Sequence, residues 1–287
     1  MDKRTERVYS KEMKITEATA QGPRPYQEDR KIVYQDMDGN TLLAVFDGHG
    51  GDTAAVLAAS NLVDSYLTRQ HCENKIGMLT GIFEDLDFVT SASESGTTAS
   101  IVYINPSQDK AYVAVLGDSP VLICGKEGLI VSPEHNIRSN AVELSRAVQR
   151  GGYEFNGYVF GPSKNWHEPS KGLQMSRALG DRDLRQILSQ KPETYSVNLD
   201  GDSYILVATD GLFDPKHQDV DAANRIHDFI VNGKVNANAL VDYALTHLNN
   251  DNVTVILAHM NDTADVLFAF GNNLNYSKTE RTSSLAA

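Results

Sequence analysis

The chain has 287 residues, of which 41% are hydrophobic and 22% charged, and its formal net charge is −12. This composition is ordinary for a globular protein large enough to bury a core without disulfides or a structural metal, and the acidic balance argues against binding to nucleic acid, whose phosphates it repels. No apolar run approaches the ~20 residues that span a bilayer, and the opening MDKRTERVYSKEMK lacks the apolar segment of a secretory signal.

Residues 1–14 read as a charged leader, 15–271 as one domain without linker or repeat, and 272–287 as a polar tail rich in Ser and Thr. Cys72 and Cys124 are far apart and have no CxxC partner, so zinc-ribbon and thioredoxin-like readings fail. Two reduced thiols and no signal segment lead to the expectation of a cytoplasmic monomer. The Ser/Thr-rich tail leaves a secreted effector as the other reading.

Short apolar, β-branched runs recur along the chain: LLAVF (42–46), ASIVYI (99–104), AYVAVL (111–116), VLIC (121–124), LIV (129–131), YILVA (204–208) and VTVIL (253–257). Their length and composition suit buried strands, and NPSQDK (105–110) and GKEG (125–128) suit hairpin connections. Helical spacing puts Ala55, Ala59, Leu62, Val63 and Tyr66 on one face. It does the same for Ala222, Ile226, Phe229 and Ile230, and for Leu240, Val241, Ala244, Leu245 and Leu248. A further helix is expected through 139–149, with Leu144 and Val148 inward. Strands apolar on both faces need covering, and these helices are the covers. The segment 151–172, which holds Trp166, is rich in Gly, aromatic and polar residues and reads as a surface loop or as a flap beside a site.

The acids fall at strand ends. Asp47, Asp118 and Asp210 close strands, Asp251 opens one, and Glu28-Asp29 precede the KIVY run at 31–34. If neighbouring strands are antiparallel, both kinds gather at one edge of the sheet. Carboxylates crowded there either rise in pKa or bind cations between them. Hard oxygen ligands with no Cys or His cluster select Mg²⁺ or Mn²⁺ over zinc. In the turn 47–51, DGHGG, Gly48 lets the backbone come close enough to offer its carbonyl, and His49 stands where it could donate a proton.

Seven segments in order, RPYQED (24–29), VFDGHGG (45–51), SGTTA (95–99), VLGDS (115–119), SRALGD (176–181), TDGLFD (209–214) and DNVTVIL (251–257), resemble the signature motifs of the type-2C (PPM) metal-dependent Ser/Thr protein phosphatases. The resemblance covers about residues 16–260. It implies an α+β fold, an αββα sandwich of two mainly antiparallel sheets flanked by helices, with a flap-like segment at about 138–172. It also implies two Mn²⁺ or Mg²⁺ ions. Asp47 bridges them, Gly48 contributes its carbonyl, Glu28 binds one ion, and Asp210 and Asp251 bind the other. Asp29 is implied as an acid behind the ligands, and Asp118 and Asp214 as candidates for a weaker third ion. Arg24 is implied as the phosphate-binding cation and His49 as the general acid. The implied activity is hydrolysis of phosphoserine and phosphothreonine in proteins by an activated water, without a phosphoenzyme. A catalytically silent binding module and a phosphatase of small phosphoesters remain the alternatives.

The pattern departs from the family where Pro120 stands in place of a basic residue after GDS, and where SPEHN (132–136) lacks a following Lys-Pro. SRALGD reads as architectural, with Arg177 and Asp181 expected to pair, and SGTTA as tight packing without chemistry.

Overall fold

The computed structural model describes residues 4–10, 13–125, 127–162, 171–213, 219, 221–233, 235–248 and 251–260. Asp214, Trp166 and the 272–287 tail lie outside the described residues.

Two antiparallel sheets form the centre. One has six strands in the order β1 (Arg4–Ser10), β2 (Met13–Ala20), β17 (Val253–Met260), β16 (Tyr204–Ala208), β9 (Val121–Gly125) and β10 (Gly128–Val131). The other has five in the order β15 (Glu193–Asn198), β8 (Lys110–Leu116), β7 (Ala99–Asn105), β4 (Thr41–Phe46) and β3 (Arg30–Gln35). The apolar runs are nearly continuous because each central strand is covered on both faces. Leu42, Ala44 and Phe46 of β4 pack under α1 (Thr53–Arg69) and α2 (Lys75–Thr90), whereas Leu43 and Val45 face the other sheet. In β16, Tyr204, Leu206 and Ala208 pack under α4 (Ala222–Gly233) and α5 (Ala237–His247), whereas Ile205 and Val207 point inward. Period-two alternation thus splits each strand between a sheet–sheet core and a sheet–helix core, and the result is the expected αββα sandwich.

Helix boundaries follow capping chemistry. Asn74 accepts from Gly77 N at the start of α2, and Asn236 accepts from Ala239 N at the start of α5. Asn140 accepts from Val142 N and Glu143 N, which starts α3 at Ala141 (Ala141–Gln149). The inward face of α3 differs from the expectation. Glu143 and Ala147 are buried and Leu144 is partly buried, but Val148 is 45% exposed. The inner face meets an apolar cluster with Val159, Ala178 and Leu184 through Ala147 and Leu144, and the buried Arg177 guanidinium through Glu143, which leaves Val148 outside.

Three other elements escape the pattern reading. Helix α2 carries Met78, Leu79, Ile82, Phe83 and Leu86 inward, but Gly77 and Gly81 weaken its helical signal. Strand β15 buries only Val197 fully. Residues 4–10, read as leader, form β1 and pair with β2 from Arg4↔Ala18 to Ser10↔Met13. Within 151–172 lies a hairpin of β11 (Tyr153–Phe155) and β12 (Tyr158–Phe160), extended by β13 (Gly172–Leu173). A separate small sheet joins β5 (Gly48–His49), β6 (Gly96–Thr97) and β14 (Leu179–Gly180).

Cys72 and Cys124 are both free. Among the described residues no helix is long and apolar enough to cross a membrane.

Candidate active site

Antiparallel register brings the opening and closing acids to one end. Arg30 of β3 lies opposite Phe46 of β4, so Asp29 and Asp47 leave the sheet side by side. Ala208 of β16 lies opposite Val255 of β17, which puts Asp210 near Asp251. Ala99 of β7 lies opposite Leu116 of β8, so the turn carrying Asp118 joins the same edge. The two sheets are tied there by Thr209, whose hydroxyl donates to Asp29 Oδ2 at 3.1 Å.

These carboxyls act on one another. Burial pushes Asp47 well above the usual carboxylate range, and the charges of Asp29, Asp210, Asp251 and Asp118 add to the shift. Asp29 is pushed up to about 7, chiefly by burial. Hydrogen bonds from Thr254 and Thr209 oppose the shift, and Asp210 and Asp251 reinforce it. Its Oδ1 is buried without a partner. Asp251 is also raised, by burial and then by Asp210, against the opposing Arg24.

Arg24 Nη2 donates to Asp251 Oδ2 at 2.7 Å while half of its side chain stays exposed. Glu28 Oε1 accepts from Gly51 N at 2.6 Å. The Gly48 backbone runs so close to Glu28 that a Cβ on Gly48 would stand 2.6 Å from the Glu28 carbonyl oxygen, so only glycine fits. Asp118 accepts from Asn136 Nδ2 at 2.9 Å. A cavity of about 210 Å³ opens beside Asp118 and Asp210, walled by Pro120, Pro133 and Phe213. The Pro120 departure therefore faces the space next to the acids.

The donor set fits hard divalent cations: it is all oxygen and mutually repulsive, and the raised pKa values of Asp47, Asp29 and Asp251 mark crowded charge that a cation would relieve. Among the described residues no three His, Cys, Asp or Glu side chains are placed to grip one ion by themselves. Mg²⁺ demands less, because it keeps several waters and takes only one or two carboxylates.

Pattern reading missed two supports. Asn252 Nδ2 donates to Gln21 O at 2.7 Å and Tyr26 O at 2.9 Å, and its Oδ1 accepts from Glu28 N at 2.9 Å. It thus pins the loop carrying Arg24 and Glu28 onto the start of β17. Asn252→Ala is expected to cost about 2 kcal/mol by leaving those backbone groups unpaired, measured by denaturant unfolding. A stability within experimental error of the natural chain would refute this role. Thr97 and Thr98 are more than filler. The Thr97 hydroxyl donates to Asp47 O at 3.1 Å, and Asp47 N donates to Thr98 Oγ1 at 3.1 Å. Asn252 stands beside Asp251 and Thr97 and Thr98 lie in the SGTTA segment, but nothing local in either segment announces these partners.

The expected pairing of Arg177 with Asp181 is not formed. Arg177 Nη2 bonds Glu143 Oε1 and Glu193 Oε1, each at 2.8 Å, and Asp181 Oδ2 instead meets His49 Nε2 at 2.6 Å. Asp181 has φ of +45° and Gly180 has φ of +79°, so the chain turns at SRALGD and aims the carboxylate across the small sheet, away from the guanidinium.

The sequence profile described as Protein phosphatase 2C matches residues 14–253. The chain is 28% identical over 270 residues to protein phosphatase 1L of Bos taurus, covering 85% of this chain and 71% of that one. A solved serine-threonine phosphatase 2C from Toxoplasma gondii superposes with a TM-score of 0.71 at 20% identity, over 91% of this chain and 99% of that one. The catalytic domain of the serine threonine protein phosphatase PstP, solved in complex with 2 manganese ions, shares the fold with a TM-score of 0.56 at 18% identity, over 88% of this chain and 99% of that one. The chain belongs to the protein phosphatase 2C family.

Proposed function

We propose that the protein is a metal-dependent phosphoprotein phosphatase that hydrolyses phosphoserine and phosphothreonine without a phosphoenzyme. The observation that carries this reading is the edge where both sheets deliver carboxyls that raise one another's pKa, with Arg24 and His49 alongside. Glu28 and the Gly48 carbonyl would hold one ion, Asp210 and Asp251 a second, and Asp47 both. Asp118 and Asp214 are candidates for a weaker third. The manganese in the PstP neighbour supports a pair of Mn²⁺ or Mg²⁺ ions.

When bound, such cations supply Lewis acidity and lower the pKa of water at the edge. The chain's own groups do the rest. Arg24 turns its guanidinium from Asp251 to the phosphoryl oxygens, where charge-assisted hydrogen bonds orient phosphorus for in-line attack. Asp29 holds the edge from behind through Thr209. As the new P–O bond forms and the ester P–O bond breaks, His49 gives a proton to the departing Ser or Thr oxygen. The products are the free hydroxyl side chain and inorganic phosphate.

A panel of pSer, pThr and pTyr peptides with Mn²⁺ tests this directly. Release of phosphate from pSer and pThr peptides, stopped by EDTA, is the expected result. Full activity in excess EDTA would refute the metal centre. Hydrolysis of small phosphoesters alone would favour the second substrate class, and no hydrolysis of either would favour a silent binding module.

A further inference from the structure

In the small sheet, Asp181 follows directly after β14 and His49 lies on β5, with β6 between them. Their side chains meet over Gly96 of β6. A Cβ on Gly96 would stand 1.9 Å from Asp181 Oδ2 and 2.3 Å from His49 Nε2, so the contact exists only because that position has no side chain. The 2.6 Å bond between them joins a fully buried carboxylate to an imidazole that is 21% exposed. Asp181 reaches it from a left-handed backbone conformation with φ of +45°, uncommon for a residue other than glycine. The turn is anchored by Asp181 N donating to Ser95 O at 3.0 Å.

Two buried atoms flank this bond without partners: Asp181 Oδ1 and His49 Nδ1. A clamp whose only task was to join two loops would have both valences filled, because a buried polar atom left unpaired is costly. The open valence on the imbalanced side of the imidazole is Nδ1. A carboxylate on one ring nitrogen sets the tautomer and the ring plane, and leaves the other nitrogen for a ligand.

We propose that Asp181 is a positioning residue for His49. It accepts the Nε2–H and holds the ring in one plane, so that in the imidazolium the Nδ1 proton is the one given to the leaving-group oxygen and the neutral Nε2–H ring remains on Asp181, with Gly96 as the gap that admits the contact. This rests on the reading of His49 as proton donor given above.

The test compares the natural chain with Asp181→Asn, Gly96→Ala, His49→Ala and the His49→Ala/Asp181→Asn double variant. Each is assayed with Mn²⁺ on phenyl phosphate, a poor leaving group, and on p-nitrophenyl phosphate, an activated one. Asp181→Asn is expected to lower kcat on phenyl phosphate about 100-fold and on p-nitrophenyl phosphate less than about threefold. Gly96→Ala should show the same selectivity, and Asp181→Asn should add nothing in the His49→Ala background. Equal losses on both substrates, or additive losses in the double variant, overturn the proposal.

The ¹⁵N spectrum of the His49 imidazole is a readout that needs no catalysis. The proton is expected on Nε2 in the natural chain, with a changed tautomer mixture in Asp181→Asn. Identical spectra overturn the proposal even in an active enzyme. A chain that hydrolyses no phosphoester would fail the phosphatase reading while the spectra still decide the pairing. Where Asp181→Asn does not fold, Asp181→Ser carries the same comparison.

Discussion

In metal-free protein at about pH 8, Asp47→Asn is expected to melt roughly 5 °C above the natural chain, although the same change lowers phosphoester hydrolysis with Mn²⁺ roughly a thousandfold. The two effects share one cause. Burial and four neighbouring carboxyls push the Asp47 carboxyl well above its ordinary range, so its charged form is a liability that only a cation relieves. A carboxyl whose folded pKa lies above the unfolded one stabilises the fold below the unfolded value, and that contribution is lost as pH rises through the folded value. For Asp29 the window runs from 3.8 to about 7, and Asp47 is shifted in the same direction. Stability of the metal-free chain therefore falls as pH rises across that window, and asparagine at position 47 removes part of the loss. Thermal melts with EDTA and with Mn²⁺ check both halves. The natural chain should gain more from Mn²⁺ than the variant does. A variant that melts lower than the natural chain in EDTA would show that Asp47 is a structural acid and not a cation ligand.

The second large effect lies away from the acids. Glu143→Gln is expected to destabilise the protein by about 3 kcal/mol, a fall of roughly 6–12 °C in melting temperature. Glu143 is 1% exposed and accepts from Arg177 Nε at 3.0 Å and Nη2 at 2.8 Å, from Arg146 Nη1 at 2.5 Å, and from the Ser176 hydroxyl. Burial opposes its ionisation, yet the hydrogen bonds from Arg177 and Ser176 outweigh it and hold its pKa down at about 2. Glutamine keeps the shape and removes the charge. Arg177 is then left with Glu193, whose side chain is 38% exposed, as its carboxylate partner. A carboxylate held below its ordinary pKa stabilises the fold above the unfolded value of 4.5, and that contribution is lost as pH falls towards 2. His135 adds acid lability at higher pH. Burial and then Arg177 push its pKa down to about 4, so the unfolded chain takes up a proton below 6.5 that the fold refuses. Urea unfolding between about pH 7 and pH 3 separates the two contributions. The gap between the natural chain and Glu143→Gln, from which the opposing contributions of Asp29, Asp47 and His135 cancel, should hold steady above about pH 4.5 and shrink as pH falls below it. Equal stability of both proteins at neutral pH would show that Arg177 is held by Glu193 alone.

Within the fold, strand runs such as LLAVF and YILVA and the stripes of α1, α4 and α5 were legible because each is a local pattern read over a few residues. The antiparallel argument also foresaw that Asp29 and Asp47, or Asp210 and Asp251, share an edge, since the end at which two neighbouring strands start or stop follows from their directions. Helix α2 was hidden by its two glycines. The inward face of α3 was misassigned because hydrophobic spacing cannot announce a buried carboxylate such as Glu143.

The sequence by itself determined the acidic edge, the order of its motifs and the family to which they belong, because acids at strand ends and glycines in turns are properties of short segments. Only the tertiary structure decided the partners. His49 and Asp181 are 132 residues apart, Asn252 and Tyr26 are 226 apart, and Arg177 and Glu143 are 34 apart. No spacing rule links such positions. They meet because two sheets pack face to face and a third, small sheet crosses their end, and the expected Arg177–Asp181 pair gave way because a left-handed turn at Asp181 aims its carboxylate over Gly96 at the histidine.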